Sequence, residues 1–393
     1  MGFPLAGQPG PANAVTDVRG VKVGHVTIVT DDPEDPHRAA RTGVTAILPR
    51  GRDGIGITAA CGISVLNGNG EMTGSHWIAE TGALGGPIML TNTHAVGTVH
   101  RGVIDWIAAN RPDRAVEWLL PVVAETWDGY LNAINEPHVT GAHAAEAIEA
   151  ASADPPAEGS VGGGTGMNCY EFSGGSGTSS RIVSFAGVDY VLGVIVQANF
   201  GSRDELTVAG VPLGDLDVPN PIADDRWFAS NVARTAPPGA GSVIAVVATD
   251  APLLPQQCQS LARRVPLGLA RTGTMGSHFS GDLFLAFSTA NPGALDSGFP
   301  RGPAEGDALR SLDFVPWNRM DPFYRATVQA VEEAVLNCLT TNVDVTGRSG
   351  HWMPALPVDQ VSQRLTLSTL PRVQPEEPSS VAAKKRLADL GGQ

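Results

Sequence analysis

Cysteine, basic residues and long apolar runs are scarce in this sequence, and each scarcity excludes a class of protein. The cysteines, Cys61, Cys169, Cys258 and Cys338, are far apart without a C-x-x-C pair, so neither a zinc site nor a disulfide framework is indicated. No apolar run reaches the roughly 18 residues that a membrane-spanning helix requires. The net charge of −14 and the pI near 5.0 argue against nucleic-acid and anionic-membrane partners, which need a basic surface.

The N-terminal residues match no targeting pattern. MGFPLAGQPGPANAV, residues 1–15, has neither the charged nor the apolar segment of a secretion signal, and Ala6 breaks the myristoylation pattern. We therefore expect a soluble, cytoplasmic protein with reduced thiols. The basic cluster KKR at 384–386 lies in a polar, Pro-containing terminus, and we expect a flexible tail over about 372–393.

Helix and strand breakers are spread along the whole sequence, with 47 glycines and 30 prolines, which favours many short strands. Apolar runs bounded by Gly, Asn, Asp or Pro predict strands in GVKVGHVTIVT, TGVTAILPRG, GITAACGISVL, GPIMLTNT, AVEWLLPVVAET, RIVSFAGVDYVLGVIVQANFG, GSVIAVVATD and GDLFLAFSTAN. Helical spacing predicts helices in AVGTVHRGVIDWIAANR, HVTGAHAAEAIEAAS, LPQQCQSLARRVPLGLAR and PFYRATVQAVEEAVLNCLTTN. Several strands are apolar on both faces, so we predict one compact domain in which helices cover two sheets.

Two glycine-rich motifs invite functional interpretations that their context disfavours. VGGGTGMNCYEFSGGSG, residues 161–177, lacks the GK[ST] of a nucleotide-binding P-loop and precedes strand-like sequence, so close backbone packing is its expected role. GGSGTSS, residues 174–180, resembles a hydrolase nucleophile elbow in its letters, but an elbow joins a strand to a helix. We predict instead that this motif lies between strands.

The histidines give no metal-binding motif. His94 and His100 could be combined with Asp105, but their spacing is not the i, i+4 of a helical ligand pair. We expect structural or hydrogen-bonding roles for these histidines, and no metal site.

The segment PPGAGSVIAVVATDAPLLP, residues 237–255, sets Gly241 and Ser242 directly before a β-forming run. A serine that merely begins a strand is the ordinary explanation, because small polar residues are common there. Alternatively, attack of the Ser242 hydroxyl on the Gly241 carbonyl would form an ester, and its hydrolysis would leave Ser242 as a new N-terminus. The freed α-amine, with a reference pKa of about 7.7 to 8.0, would serve as the base for its own hydroxyl.

GSVIAVVATDAPLLPQQ, with VIVQANFG before it and SGDLFLAFSTANP and DVTGRSGHWMPALP after it, resembles the self-processing aminopeptidases that include the L-aminopeptidase/D-esterase and the β-peptidyl aminopeptidases. The similarity runs from about AVTDVRGVKVGH to ALPVDQV. It implies an α+β fold, a four-layer αββα sandwich akin to the N-terminal-nucleophile hydrolases but differently connected. It also implies cleavage into a large subunit, residues 1–241, and a small one, residues 242–393, which assemble further, as a tetramer of αβ pairs.

The same resemblance assigns roles to residues in matching positions. The nucleophile falls on Ser242, and Asn199 matches an asparagine that donates to the oxyanion, although turn capping is its alternative role. Ser280 and Asp282 lie two apart, so they face one side of an extended segment, where the family places a serine and an acid beside the nucleophile. Some members carry Glu where this chain has Asp282, and the shorter acid changes the geometry of that contact.

Glu125 matches a family carboxylate that binds the free ammonium of the substrate, as an aminopeptidase requires. Trp127 and Tyr130 follow it closely in the sequence, and they either wall the substrate pocket or pack in the core.

We therefore interpret the sequence as a serine aminopeptidase without a cofactor, which releases N-terminal amino acids from small peptides, amides or esters through an acyl-enzyme. Either the α-amine of Ser242 or the Ser280 and Asp282 pair protonates the leaving amine. One alternative is an amidase or acyltransferase of the same fold that acts on a biosynthetic intermediate with a pantetheine-like amide. A second alternative is a non-catalytic binding protein, which would keep the sandwich without cleavage.

Overall fold

The computed structural model describes residues 5–116, 118–224, 241–297 and 309–369. Its strands are β1 (Lys22–Thr30), β2 (Ala40–Leu48), β3 (Ala59–Gly68), β4 (Ala83–Leu84), β5 (Ile88–Asn92), β6 (Val122–Thr126), β7 (Asn168–Cys169), β8 (Phe172–Ser173), β9 (Gly175–Phe185), β10 (Val188–Asn199), β11 (Thr207–Val208), β12 (Val211–Pro212), β13 (Ser242–Thr249), β14 (Gly281–Ser288), β15 (Val345–Thr346) and β16 (Trp352–Met353).

Its helices are α1 (Ser75–Thr81), α2 (Val96–Asn110), α3 (Gly141–Glu149), α4 (Pro221–Asp224), α5 (Pro255–Ala262), α6 (Val265–Leu269), α7 (Asp321–Thr340) and α8 (Val358–Thr369). Among the helices of the described ranges, none is both long and apolar enough to cross a membrane.

Two sheets contain most of the strand residues. A four-stranded sheet has the order β1-β2-β5-β6, and a six-stranded sheet has the order β4-β3-β14-β13-β10-β9. Neighbouring strands are antiparallel except for two parallel pairs, β5 with β6 and β13 with β14. The parallel pair in the centre of the six-stranded sheet therefore begins at the same end of that sheet, with Ser242 beside Gly281.

The sheets stack face to face, and helices cover the outer face of each. Side chains along β13 alternate, because Ile244 and Val246 belong to the apolar core between the sheets, whereas Val243 and Ala245 pack in the core beneath α5, α6 and α7. A third core lies between the four-stranded sheet and the helices α2 and α3. The layers are thus helix, sheet, sheet, helix, and the predicted αββα sandwich is confirmed.

Some predicted elements differ from the observed ones where turn residues interrupt them. The run at 181–201 is not one strand, since Ala186 and Gly187, with φ of 51° and 79°, form the turn between β9 and β10. The helix predicted at 254–271 divides into α5 and α6, with Pro266 in the first turn of α6.

Other elements were misplaced or missed. Among the described residues of AVEWLLPVVAET, only β6 is a strand, and it begins after Pro121, which has no N–H to donate to a sheet. GGSGTSS lies largely within β9 and not between strands. The sequence patterns missed α1, which has only seven residues, and α8, which is weakly apolar. The tail expected over about 372–393 lies outside the described residues.

The glycine-rich stretch at 161–177 packs as closely as its composition predicts. Gly163 and Gly164 are buried, and a Cβ on Gly163 would overlap the Leu90 carbonyl and the side chain of Gln197. This stretch therefore fits against both sheets only because these positions lack side chains.

The core between the sheets gives a stability test. Phe287 is fully buried there, so we expect Phe287→Ala to lower the free energy of unfolding by about 3 to 5 kcal/mol. Phe314, which is 48% exposed, provides the matched control, and its change to alanine should cost about 1 kcal/mol or less. Urea unfolding followed by tryptophan fluorescence measures both; equal losses would mean that the core between the sheets contributes no special stability.

Candidate active site

The candidate site lies at the end of the six-stranded sheet where β10 stops and β13 and β14 start. Ser242 pairs with Asn199 across the antiparallel ladder and with Gly281 across the parallel one. Paired residues of adjacent strands are about 5 Å apart, so these positions form one cluster. The structure thus brings together the end of β10 and the starts of β13 and β14, the three strands that carry these sequence motifs.

The Ser242 side chain faces the four-stranded sheet. It is 3% exposed, and its Oγ accepts a hydrogen bond from the backbone N–H of Trp127 at 3.3 Å. Trp127 directly follows β6, so the contact joins the two sheets. The hydroxyl is buried, with its position set by main chain from the opposing sheet.

Asn199 is held by both ends of its amide. Its Nδ2 donates to the Trp127 carbonyl at 3.0 Å, and its Oδ1 accepts from the Asn168 backbone N–H at 3.0 Å. The Nδ2 atom carries a second N–H. The side chain is therefore fixed beside Ser242 with one donor hydrogen beyond its bond to Trp127.

Gly241 lies in a position that has no room for a side chain. Its carbonyl oxygen accepts a hydrogen bond from the Gly281 N–H at 3.0 Å. A Cβ at residue 241 would overlap the Asn199 carbonyl oxygen. The hydrogen bond from β14 thus orients the Gly241 carbonyl next to the Ser242 hydroxyl, and only glycine fits at position 241.

Ser280 and Asp282 form a buried pair on either side of Gly281. The Ser280 hydroxyl donates to Asp282 Oδ1 at 2.5 Å, and Asn67 Nδ2 donates to Oδ2 at 2.9 Å. Burial raises the pKa of Asp282, and these two hydrogen bonds and the Val243 backbone oppose that rise. Asp282 pairs with Val243, so the pair faces the helices on the opposite side of the sheet from the Ser242 side chain.

Glu125 approaches the site from the four-stranded sheet. It is 3% exposed; its Oε1 accepts from the Glu71 N–H at 2.9 Å, and its Oε2 accepts from the Thr93 hydroxyl. Burial raises its pKa, while the bonds from Thr93 and Glu71 oppose the rise. A Cβ built on Gly70 would meet both Glu125 Oε1, at 3.1 Å, and Gly281 Cα, at 3.2 Å, so the carboxyl group lies close to the start of β14.

Trp127 and Tyr130 belong to the same loop but have different surroundings. The indole of Trp127 is partly buried, and a Cβ on Gly129 would overlap it. Tyr130 is 2% exposed and stacks on His351 with ring centroids 4.7 Å apart. The main chain of Trp127 reaches the site, and a substrate-contacting role for the two rings stays a prediction.

Sequence reasoning missed four residues that hold the predicted ones: Asn67, Thr93, Asn168 and the backbone of Glu71. Asn67 and Glu71 lie in the polar stretch NGNGE, Thr93 is the last residue of the predicted strand GPIMLTNT, and Asn168 lies in the glycine-rich stretch at 161–177. No spacing at these positions distinguishes a ligand from a turn residue. A structural or hydrogen-bonding role was expected for His94, but it is the neighbouring Thr93 whose hydroxyl binds Glu125. Within the described ranges, no three His, Cys, Asp or Glu side chains gather around a possible metal position.

Asp128 is a further buried acid next to the site. It is 1% exposed, and Asn132 Nδ2 donates to its Oδ1 at 3.0 Å. Burial raises its pKa from 3.8 to about 7, and hydrogen bonds from Thr42, Asn132 and Asn92 oppose the rise. Asp128 shares a peptide bond with Trp127, so it fixes the loop that contacts Ser242 and Asn199.

A four-layer αββα sandwich with a buried serine at the start of a central strand has the architecture of the Ntn-hydrolase-like folds. The pattern of Peptidase family S58 matches residues 13–353. The chain therefore belongs to Peptidase family S58, and the family resemblance predicted from the sequence is confirmed.

The chain is similar to two β-peptidyl aminopeptidases named BapA. That of Sphingosinicella microcystinivorans is 44% identical over 361 residues, 91% of this chain and 88% of that protein. That of Sphingosinicella xenopeptidilytica is 41% identical over 384 residues, 95% of this chain and 91% of that protein.

Solved structures show the same architecture. The L-aminopeptidase D-Ala-esterase/amidase from Ochrobactrum anthropi, described as a new variant among the Ntn hydrolase fold, has a TM-score of 0.83 at 39% identity and covers 93% of this chain and 97% of its own. A Burkholderia sp. β-aminopeptidase has a TM-score of 0.83 at 39% identity, covering 94% of this chain and 98% of its own. Family and neighbours together support a hydrolase of the aminopeptidase or amidase kind.

The raised pKa of Asp128 gives a pH test. Between pH 3.8 and about 7 the folded state holds a proton that the unfolded state has lost, so stability falls as pH rises through this range, by at most about 1.4 kcal/mol per pH unit. Asp128→Asn removes this fall. We expect the stability difference, variant minus wild type, to grow across that range and then level off.

Urea unfolding at several pH values measures this difference for Asp128→Asn. A difference for Asp128→Asn that does not change with pH would contradict the prediction.

Proposed function

We propose that this chain is a self-processing serine aminopeptidase that releases N-terminal amino acids from small peptides, amino-acid amides or esters. The observation that carries the proposal is the position of Ser242, whose hydroxyl and preceding carbonyl lie at one end of the sheet with Asn199 and near Glu125. Membership of family S58 and the names of its relatives support this activity.

The geometry supports the following self-cleavage. Ser242 Oγ attacks the Gly241 carbonyl carbon, and the Gly281 N–H donates to the carbonyl oxygen as negative charge develops there. The hydroxyl proton passes to the Ser242 nitrogen as the C–N bond breaks, which leaves an ester. Water then hydrolyses the ester to a Gly241 carboxylate and the Ser242 hydroxyl, so that Ser242, with its α-amine already freed, becomes the N-terminus of the second of the subunits 1–241 and 242–393.

The same residues support substrate turnover. Glu125 binds the substrate ammonium, and the Ser242 α-amine takes the proton of its own hydroxyl as Oγ attacks the substrate carbonyl. The second N–H of Asn199 donates to the oxyanion. The leaving amine takes a proton from the α-amine or through Ser280 and Asp282, and water hydrolyses the acyl ester. We further propose that the subunits assemble as a tetramer of αβ pairs.

Among the residues that the structure describes, no contact favours the two alternatives over this function. A pantetheine-like amide has no free ammonium, so an enzyme for that substrate needs no buried carboxylate at Glu125. A binding protein needs no nucleophile held beside a glycine carbonyl. Release of free amino acid from amino-acid amides separates the aminopeptidase from both alternatives.

Self-cleavage is tested by the intact mass of the denatured protein. We expect two fragments whose masses sum to the full chain plus one water, the smaller beginning at Ser242, because the Ser242 hydroxyl is the attacking group. Ser242→Ala should remain one chain. The control Ser184→Ala removes an exposed hydroxyl on β9 and should be cut like the wild type. A wild-type chain that stays whole on incubation, or a Ser242→Ala chain cut after Gly241, would contradict the proposal.

The ammonium site is tested by Glu125→Gln. We expect the KM for amino-acid amides to rise about ten- to a hundredfold, because the variant loses a charge-assisted hydrogen bond to the substrate. Self-cleavage should persist, since it involves no ammonium. Steady-state kinetics with Glu136→Gln, which removes a carboxylate paired with Arg38 away from the site, provides the control. An unchanged KM in Glu125→Gln would assign ammonium binding to another group.

A further inference from the structure

A cavity of about 290 Å³ opens on the helix-covered face of the six-stranded sheet, beside the start of β13 and β14. We call it the Leu267 cavity. Its apolar walls include Leu66, Phe200, Val243, Leu267 and Met275, and Ser280 and Asp282 also line it. Ser280 and Asp282 therefore border an apolar space, and no step of the proposed reaction places a substrate group in it.

The mouth of this cavity is accessible. Met275 is 83% exposed, Leu267 is 58% exposed and Leu66 is 47% exposed. Exposed large apolar side chains around a concave opening are typical of a ligand site, and the cavity volume is just below the roughly 300 to 1,000 Å³ of small-molecule pockets. It is large enough for one aromatic ring or one leucine-sized side chain.

The cavity and Glu125 approach Gly281 from opposite sides. Glu125 belongs to the four-stranded sheet and lies near Gly70 and Gly281, whereas Ser280 and Asp282 face the helices. A substrate whose ammonium binds Glu125 and whose carbonyl lies at Ser242 must direct the far side of its scissile bond away from Glu125.

We propose that the Leu267 cavity binds the leaving group of the substrate and selects uncharged, apolar amines, such as an anilide ring or an apolar second residue. This inference rests on the proposed function. The pair of Ser280 and Asp282 lies at the inner end of the cavity, where the nitrogen of such a leaving group would be. The apolar walls give no partner to a charged substituent, so acidic leaving residues should be poor substrates.

The test compares substrates that share one N-terminal residue and differ in the leaving group: the amide, the p-nitroanilide, and dipeptides ending in leucine or aspartate. Leu267→Trp fills the mouth of the cavity. We expect it to lower the ratio of kcat/KM for the anilide to kcat/KM for the amide by about tenfold, because steric exclusion from an apolar pocket acts on the large group. The leucine dipeptide should lose as much relative to the amide.

Leu120→Trp, at an exposed leucine of a different groove, is the matched control and should leave these ratios at the wild-type value. Met275→Trp is the second cavity variant, used if the first does not yield processed protein by intact mass. Met275→Lys should raise the relative rate for the aspartate dipeptide, because it adds a cation at the mouth.

The outcomes distinguish a failure of the leaving-group assignment from a failure of the proposed function. If the wild type hydrolyses the amide but the cavity variants leave every ratio unchanged, the leaving-group assignment is wrong and the aminopeptidase assignment stands. If the wild type hydrolyses none of the substrates, the proposed function fails and this inference falls with it.

Discussion

Gln197 fixes the distance between the two sheets at the end where the site lies. It belongs to β10, two residues before Asn199, and its Nε2 donates to the Thr91 carbonyl at 2.9 Å and to Thr126 Oγ1 at 2.8 Å. Both acceptors are in the four-stranded sheet. Because Thr126 directly precedes Trp127, this link also sets the peptide that contacts Ser242 and Asn199. A shift between the sheets would break all of these contacts together.

The site places several polar groups where the fold would otherwise be apolar. Glu125, Asp128 and Asp282 are each at most 3% exposed, and burial raises the pKa of each. Their hydrogen bonds recover part of the lost hydration free energy. An apolar residue of similar size would be buried without any such desolvation cost. The ordered core between the sheets offsets that cost. The position of these acids at one end of the sheet is therefore better explained by chemistry than by stability.

The sequence allowed the layers to be predicted because runs such as VIAVVAT are apolar on both faces, and only a sheet covered on both sides accommodates them. The motifs that resemble the aminopeptidase family also drew attention to Ser242, Asn199 and Asp282, whose catalytic roles stay predictions. The sequence could not reveal Thr93, Asn67 or Asn168, since their partners are distant in the chain and depend on how loops close. Asp282 has a shorter side chain than the Glu of some family members, but its carboxylate still accepts a hydrogen bond from the Ser280 hydroxyl.

On the proposed function, the uncut chain contains a nucleophile without its base. The Ser242 nitrogen is then an amide that cannot accept a proton at neutral pH, and the Gly241 carbonyl occupies the position that a substrate carbonyl would take. Cleavage of that one bond creates an amine with a pKa near neutrality and frees the space beside Ser242. The same bond therefore controls both the base and the access, so an intact chain has no activity on substrates even when every other site residue is in place.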